Sequence, residues 1–240
     1  MEYDSPEEIR LPKRSEIGKR PRRTATSRIG RGLMEVLIVL VLATVTSMVI
    51  RFFVLQVYSI PSSSMTTTLQ VGDRIVVNRL PVLGKQIERG DVVVFSDDNH
   101  WLNNDGSPLG MWQQVGQFMG IVPANGEDVL VKRVIGMGGD TVECCTDAGE
   151  ITVNGVPITE DYLIEGARPA DTEFSVVVPE GKVWVMGDNR QHSADSLYHF
   201  NNGGDAFVDE SAVIGRVWGV AWPLNHWSSV GSRKTFDDVP

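Results

Sequence analysis

The 240-residue sequence predicts a mostly β domain behind a single N-terminal transmembrane helix. Three observations carry that prediction: an apolar run from Leu33 to Ile50, a series of short β-branched runs after Val71, and an Asn154-Gly155 pair between two of those runs. Hydrophobic residues make up 42% and charged residues 22%, a globular balance, and the length suits one domain with a real core plus appendages. The expected division is a tail over 1–31, a helix over 32–55 and a β domain over 56–240.

Residues 1–31 hold nine Lys and Arg against five Asp and Glu, a charge of +4, which leaves −13 on the remainder of a chain whose total is −9. The tail lacks sustained apolar periodicity, so it cannot offset the entropy of ordering and is expected to be disordered. A domain of that negative charge would be repelled by phosphates, which argues against nucleic acid as the main partner.

The run from Leu33 to Ile50 carries one charge, Glu35, and as a helix would extend about 27 Å, close to the hydrocarbon thickness of a bilayer. A secretory signal would have a shorter apolar core and a small-residue exit, so a signal anchor fits better. Arg22-Arg23 is not followed by the apolar residues of a twin-arginine signal. Basic residues cluster before the run, and after Arg51 the next is Arg74. The positive-inside rule therefore predicts a cytoplasmic tail and an external domain.

Beyond Val71, the stretches around Arg74–Leu80, Asp91–Ser96, Asp128–Gly136, Ile151–Ile158, Phe174–Pro179, Lys182–Gly187 and Val213–Trp222 read as strands, bounded by Gly, Pro, Asn and Asp. Asn154-Gly155 is a hairpin signal, because a type I′ turn needs positive φ at both central residues. Residues 97–126 do not read as strand. Within them Trp112, Val115, Phe118 and Met119 recur at helical spacing, predicting a short helix over the core or, alternatively, a segment resting on lipid. Cys144 and Cys145, the only cysteines, are expected to be a packed pair. The glycines around Met137 read as a turn, because no helix follows to build a phosphate cradle. No metal-ligand spacing and no cofactor fingerprint is present.

The stretch Ile60-Pro61-Ser62-Ser63-Ser64-Met65 sets three hydroxyls a few residues past the apolar run, and such a cluster acquires chemistry only if a base can reach it. No Gly-x-Ser-x-Gly elbow occurs. His192 lies beside Ser193 and Asp195, but sequence neighbours rarely converge on one proton. Lys132 is the other candidate base. Strand alternation puts Leu130, Lys132 and Val134 on one face and Val129, Val131, Arg133 and Ile135 on the other. Spacing alone favours an ammonium in water at the sheet rim. A buried lysine would instead lose its proton readily and suit a serine nucleophile.

The ordered set of Ile60–Met65, Gly72-Asp73-Arg74, Arg89-Gly90-Asp91, Val131-Lys132-Arg133-Val134-Ile135-Gly136 through Gly139-Asp140, and Gly187-Asp188-Asn189-Arg190 through Ser193-Ala194-Asp195-Ser196 resembles the bacterial type I signal peptidases. The resemblance runs from the membrane span to about Val220. It implies a membrane-anchored serine endopeptidase with a β-rich catalytic domain of signal-peptidase type, cutting signal peptides from translocated preproteins after small residues. It assigns Ser64 as nucleophile, Lys132 as general base, Ser62 to the oxyanion and Ser193 to orienting the lysine. It places Ile60, Met65, Leu69 and Val131 along substrate pockets, with Asp195, Arg133 and Gly187 in support. Its partners would be signal peptides and the lipid bilayer, without metal or cofactor.

Three positions depart from that pattern. Ser63 and Thr67 stand where the family usually has Gly and Pro, and Leu197 where its last box ends in Arg. Asp195 thus loses its usual ion-pair partner, and Arg133 or Arg190 is expected to substitute. Two other readings compete: a repressor-type autoprotease, which would lack the span, and a membrane-anchored β module that binds exported proteins through a degenerate site.

Overall fold

A computed structural model describes residues 25–80, 84, 87–102, 129–231 and 233–240, and within its first helix the side chains of 32–48. The expectations for the tail through residue 24 and for Trp112, Val115, Phe118 and Met119 lie outside these residues. The described residues fall into two compact units, divided between Ser47 and Met48.

Helix α1, Ala25–Phe53, begins ahead of the apolar text, so 25–31 is helical where a disordered tail is expected. Leu33, Val36, Leu37, Val39, Leu40 and Leu42 are each exposed by half or more, so the helix is apolar around its circumference rather than along one stripe. Among the described residues no helix is long and apolar enough to cross a membrane.

The second unit is built on antiparallel β-structure. The strands are β1 (Leu55–Ser59), β2 (Arg74–Asn78), β3 (Val92–Ser96), β4 (Val129–Met137), β5 (Thr141–Cys144), β6 (Ile151–Val153), β7 (Val156–Pro157), β8 (Phe174–Val177), β9 (Lys182–Met186), β10 (Val208–Asp209), β11 (Val213–Trp222) and β12 (Ser228–Ser229). A short helix, α2, spans Ser196–Asn201. The larger sheet runs β1-β2-β11-β3-β4-β9-β10 with β12 on β11, and the smaller runs β7-β6-β5-β8.

Each strand read from the sequence is present. Those missed, β1, β5, β10 and β12, are short or carry few β-branched residues. In β3 the run Val92-Val93-Val94-Phe95 does not alternate because both faces are covered. Val92 and Val94 join a core with Ile60, Met65, Leu69 and Ile75, while Val93 and Phe95 join another with Val134, Val183 and Val185. In β8, Phe174 and Val176 are buried and Ser175 and Val177 exposed, the alternation of a strand covered on one face. Asn154 and Gly155 have φ of 53° and 77°, as the hairpin reading requires.

Cys144 and Cys145 are bonded to each other, which corrects the expectation of a merely packed pair. Gly138 and Gly139 lie in a turn between β4 and β5. Trp218, Trp222, Leu224 and Trp227 stand exposed on β11 and the segment after it.

Candidate active site

The serine stretch leaves β1 as a tight turn. The Ser63 carbonyl accepts the Thr66 amide at 3.1 Å and the Met65 carbonyl accepts the Leu69 amide at 2.8 Å. Burial of Met65 and Leu69, both 1% exposed or less, pulls this turn onto the core and brings Ser64 inward to 8% exposure, while Ser62 and Ser63 stay exposed. Among the described residues the positive-φ positions other than glycine are His100 and Asn154, so Ser63 occupies its place without glycine's conformational freedom.

Across the sheet, β4 pairs with β3 in a register that sets Lys132 opposite Val93 and Arg133 opposite Val92. Lys132 is 2% exposed, so the rim position favoured by spacing is not the one adopted. Its Nζ donates to Ser64 Oγ at 2.7 Å, and the Ser62 and Ser64 hydroxyls lie 3.3 Å apart. Burial lowers the Lys132 pKa from 10.5 to about 8, against the opposing pull of Asp195 and then Asp188.

The loop after β9 closes the site. The Asn189 amide donates to the Ser64 carbonyl at 2.9 Å and its Nδ2 to the Ser63 carbonyl at 3.1 Å. Gly187 allows this approach, since a Cβ there would stand 2.6 Å from the Ser64 carbonyl oxygen and overlap the Ser193 hydroxyl. Ser193 Oγ is buried without a hydrogen-bond partner among the described residues.

Arg133, next along β4, points into a different setting. Its Nε and Nη2 donate to the two carboxylate oxygens of Asp188 at 2.8 and 2.6 Å, its Nη1 donates to the Gly90 carbonyl at 2.9 Å, and its guanidinium lies 3.9 Å from the Tyr162 ring centre. Burial works against this charge, but the Asp188 bonds outweigh it and the pKa is raised. Thr68 also donates its hydroxyl to Asp188.

The expected substitution at Asp195 does not occur. Arg133 is taken by Asp188 and Arg190 by Glu160. Asp195 instead caps α2, accepting the Leu197 and Tyr198 amides, and accepts the Gly187 amide at 2.9 Å. Backbone donors thus replace the missing guanidinium, and Leu197 itself is buried in the apolar core with Trp184 and Met186. Thr67 gains a bond no proline could make, donating Oγ1 to the Tyr162 carbonyl at 2.8 Å.

Ile60, Met65 and Leu69 are buried together and Val131 packs against the same cluster. His192 Nδ1 lies 3.3 Å from Asn189 Oδ1, on an exposed turn, and no His-based triad forms among the described residues. Sequence reasoning missed Asn189, Asp188, Thr68, Glu160 and Tyr162 as parts of the site. The first two lie inside a motif it had singled out; the other three carried no signal.

A serine hydroxyl bonded to a buried amine of lowered pKa, on a β scaffold, can perform acyl transfer with the amine as base. The model of the family described as "Signal peptidase, peptidase S26" matches residues 33–222. The chain belongs to that family and is a serine endopeptidase, a type I signal peptidase. It is 41% identical over 232 residues to a probable signal peptidase I of Mycobacterium leprae, covering 83% of this chain and 80% of the relative. To signal peptidase I of Mycobacterium tuberculosis H37Rv it is 39% identical over 225 residues, covering 83% and 76%. A crystal structure of signal peptidase I from Enterococcus faecalis V583 shares 24% identity over 54% of this chain and 95% of its own, with a TM-score of 0.35.

Proposed function

We propose that this chain removes signal peptides from translocated preproteins at the outer face of the cytoplasmic membrane, with Ser64 as nucleophile and Lys132 as general base. The observation that carries the proposal is the 2.7 Å bond between Lys132 Nζ and Ser64 Oγ in a buried setting. A neutral lysine amine accepts the Ser64 proton as Oγ attacks the scissile carbonyl, then returns it to the leaving amine. The resulting acyl-enzyme is hydrolysed by water activated by the same amine.

Ser62, exposed and 3.3 Å from the nucleophile's oxygen, is suited to donate to the developing oxyanion beside the Ser64 amide. A preorganised donor of that kind contributes about 3 kcal/mol. Ser193, whose buried hydroxyl has no hydrogen-bond partner among the described residues, is assigned to orienting the lysine amine. Ile60, Met65, Leu69 and Val131 provide the apolar lining for the small residues before the cleavage site.

The anchor in this reading is the apolar run Leu33–Ile50, which extends past the described side chains of α1, with the basic tail in the cytoplasm and the acidic domain outside. An anchored enzyme meets its substrates in the membrane that holds them both.

The test incubates detergent-solubilised full-length protein with a preprotein, beside Ser64→Ala and Lys132→Ala. Cleavage by the wild type, lost in both variants, is the expected outcome. Persistence in either refutes the Ser-Lys reading, and no cleavage by wild type favours a binding module. Membranes extracted with alkaline carbonate should retain the chain; its release would refute the anchor.

A further inference from the structure

Beside Ser64 and Lys132 lies a buried set of charges to which the chemistry above gives no part. Arg133, Asp188, Arg190 and Glu160 have side chains 1–3% exposed, two cations and two carboxylates in compensation, with the buried phenol of Tyr162 against them. Glu160 and Tyr162 come from the segment between β7 and β8, which contributes no strand to the sheet that carries Lys132.

That segment grips the site at three points. Both Nη atoms of Arg190 donate to the Glu160 carboxylate, while its Nε donates to the Gly187 carbonyl at 3.0 Å. The Tyr162 hydroxyl donates to Glu160 Oε1 at 2.6 Å, and its ring lies against the Arg133 guanidinium. The Tyr162 carbonyl accepts the Thr67 hydroxyl, so the same residue is tied to the turn that carries Ser64.

Arg190 also lies within electrostatic reach of Asp195, whose charge in turn is the first to oppose deprotonation of Lys132. The other charged and titratable neighbours of Lys132 are Asp188, Arg133 beside it on β4, and His199 of α2. A guanidinium left without Glu160 would be drawn toward Asp195, the other carboxylate whose charge reaches it. That would weaken the negative field at the lysine and loosen the Gly187 loop against Ser64.

We infer that Glu160, braced by Tyr162, is a positioning residue for the Ser64–Lys132 pair, holding Arg190 off Asp195 and tying the nucleophile turn to β4. The inference rests on the Ser-Lys reading, and the Ser64→Ala and Lys132→Ala controls keep the two separable. If those variants still cleave, that reading fails, whatever Glu160 does.

The test measures preprotein cleavage by the full-length protein as kcat, KM and the acid limb of the pH profile, with thermal melts alongside. Glu160→Gln should lose about tenfold in kcat with KM within about twofold. Its acid limb should move about half a pH unit lower, because a guanidinium paired with Asp195 disfavours the ammonium form of Lys132. Glu160→Gln/Arg190→Gln removes both charges and should return the limb toward wild type. An unmoved limb with unchanged kcat, or a loss that follows only the unfolded fraction, overturns the inference. Should the unpaired guanidinium prevent Glu160→Gln from folding, Tyr162→Phe decides: about threefold lower kcat at constant KM supports the inference, and wild-type kcat overturns it.

Discussion

Lys132 and Arg133 are neighbours on β4, each 2% exposed or less, and their surroundings treat charge in opposite ways. Arg133 has a bidentate carboxylate, a backbone carbonyl and an aromatic face, and stays cationic. Lys132 has a serine hydroxyl for its bonded partner and carboxylates that act across space, and its ammonium is destabilised. Burial alone therefore does not make a base. What matters is whether burial comes with a bonded counter-charge.

The largest effect should come from deleting the weakly compensated cation. Lys132→Ala is expected to reduce kcat/KM by about 10⁴-fold or more with the melt retained, measured on a preprotein. Lys132→Arg should be no better, because a guanidinium cannot give up its proton. Deleting the compensated cation should act on stability: Arg133→Met leaves Asp188 buried without its partner and should cost about 3–5 kcal/mol in denaturant unfolding.

A third measurement inverts the second. The folded pKa of Lys132 lies near 8, below its ordinary 10.5, so the native state resists the proton. The resulting penalty is complete below about pH 8 and disappears as pH rises through 10.5, a span worth about 3 kcal/mol. Lys132→Met should therefore gain stability relative to wild type at about pH 6, and that advantage should shrink by about this amount at about pH 11. Unfolding curves that differ equally at both pH values would contradict it.

Activity should follow the same group, with kcat/KM of the wild type rising about tenfold per pH unit below about 8 and levelling above. The smallest effect is expected at Thr67. Thr67→Val removes one hydrogen bond to the Tyr162 carbonyl and should cost about 1 kcal/mol, with kcat about twofold lower because the serine turn loses one of its ties.

The strands were legible because runs such as Val92–Phe95 and Val213–Trp222 combine β-branching with turn residues at their ends. The helix was legible from its apolar text, although Ala25–Arg31 reads as tail and folds as helix. Ser64 and Lys132 could be singled out, but the burial that lowers the lysine's pKa could not. Alternation on β4 describes faces and says nothing of what covers them, here the serine turn and the loop after β9.

Asp195 shows the other limit. The absence of an arginine at Leu197 predicts another cation at Asp195, whereas the fold supplies three backbone amides, which no side-chain pattern records. Glu160 and Tyr162 were invisible for a related reason: their importance lies in partners from β4, the serine turn and the Gly187 loop, which only folding brings together.

Asn189 holds the carbonyls of Ser63 and Ser64 from 126 and 125 positions away, and Lys132 reaches Ser64 across 68. Such contacts close late, since chain entropy must be overcome before they form. Ser64 is therefore synthesised early and set in place last. A chain interrupted before Asn189 carries Ser64 and Lys132 without the clamp on the serine turn, so both groups are present before the geometry that joins them is complete.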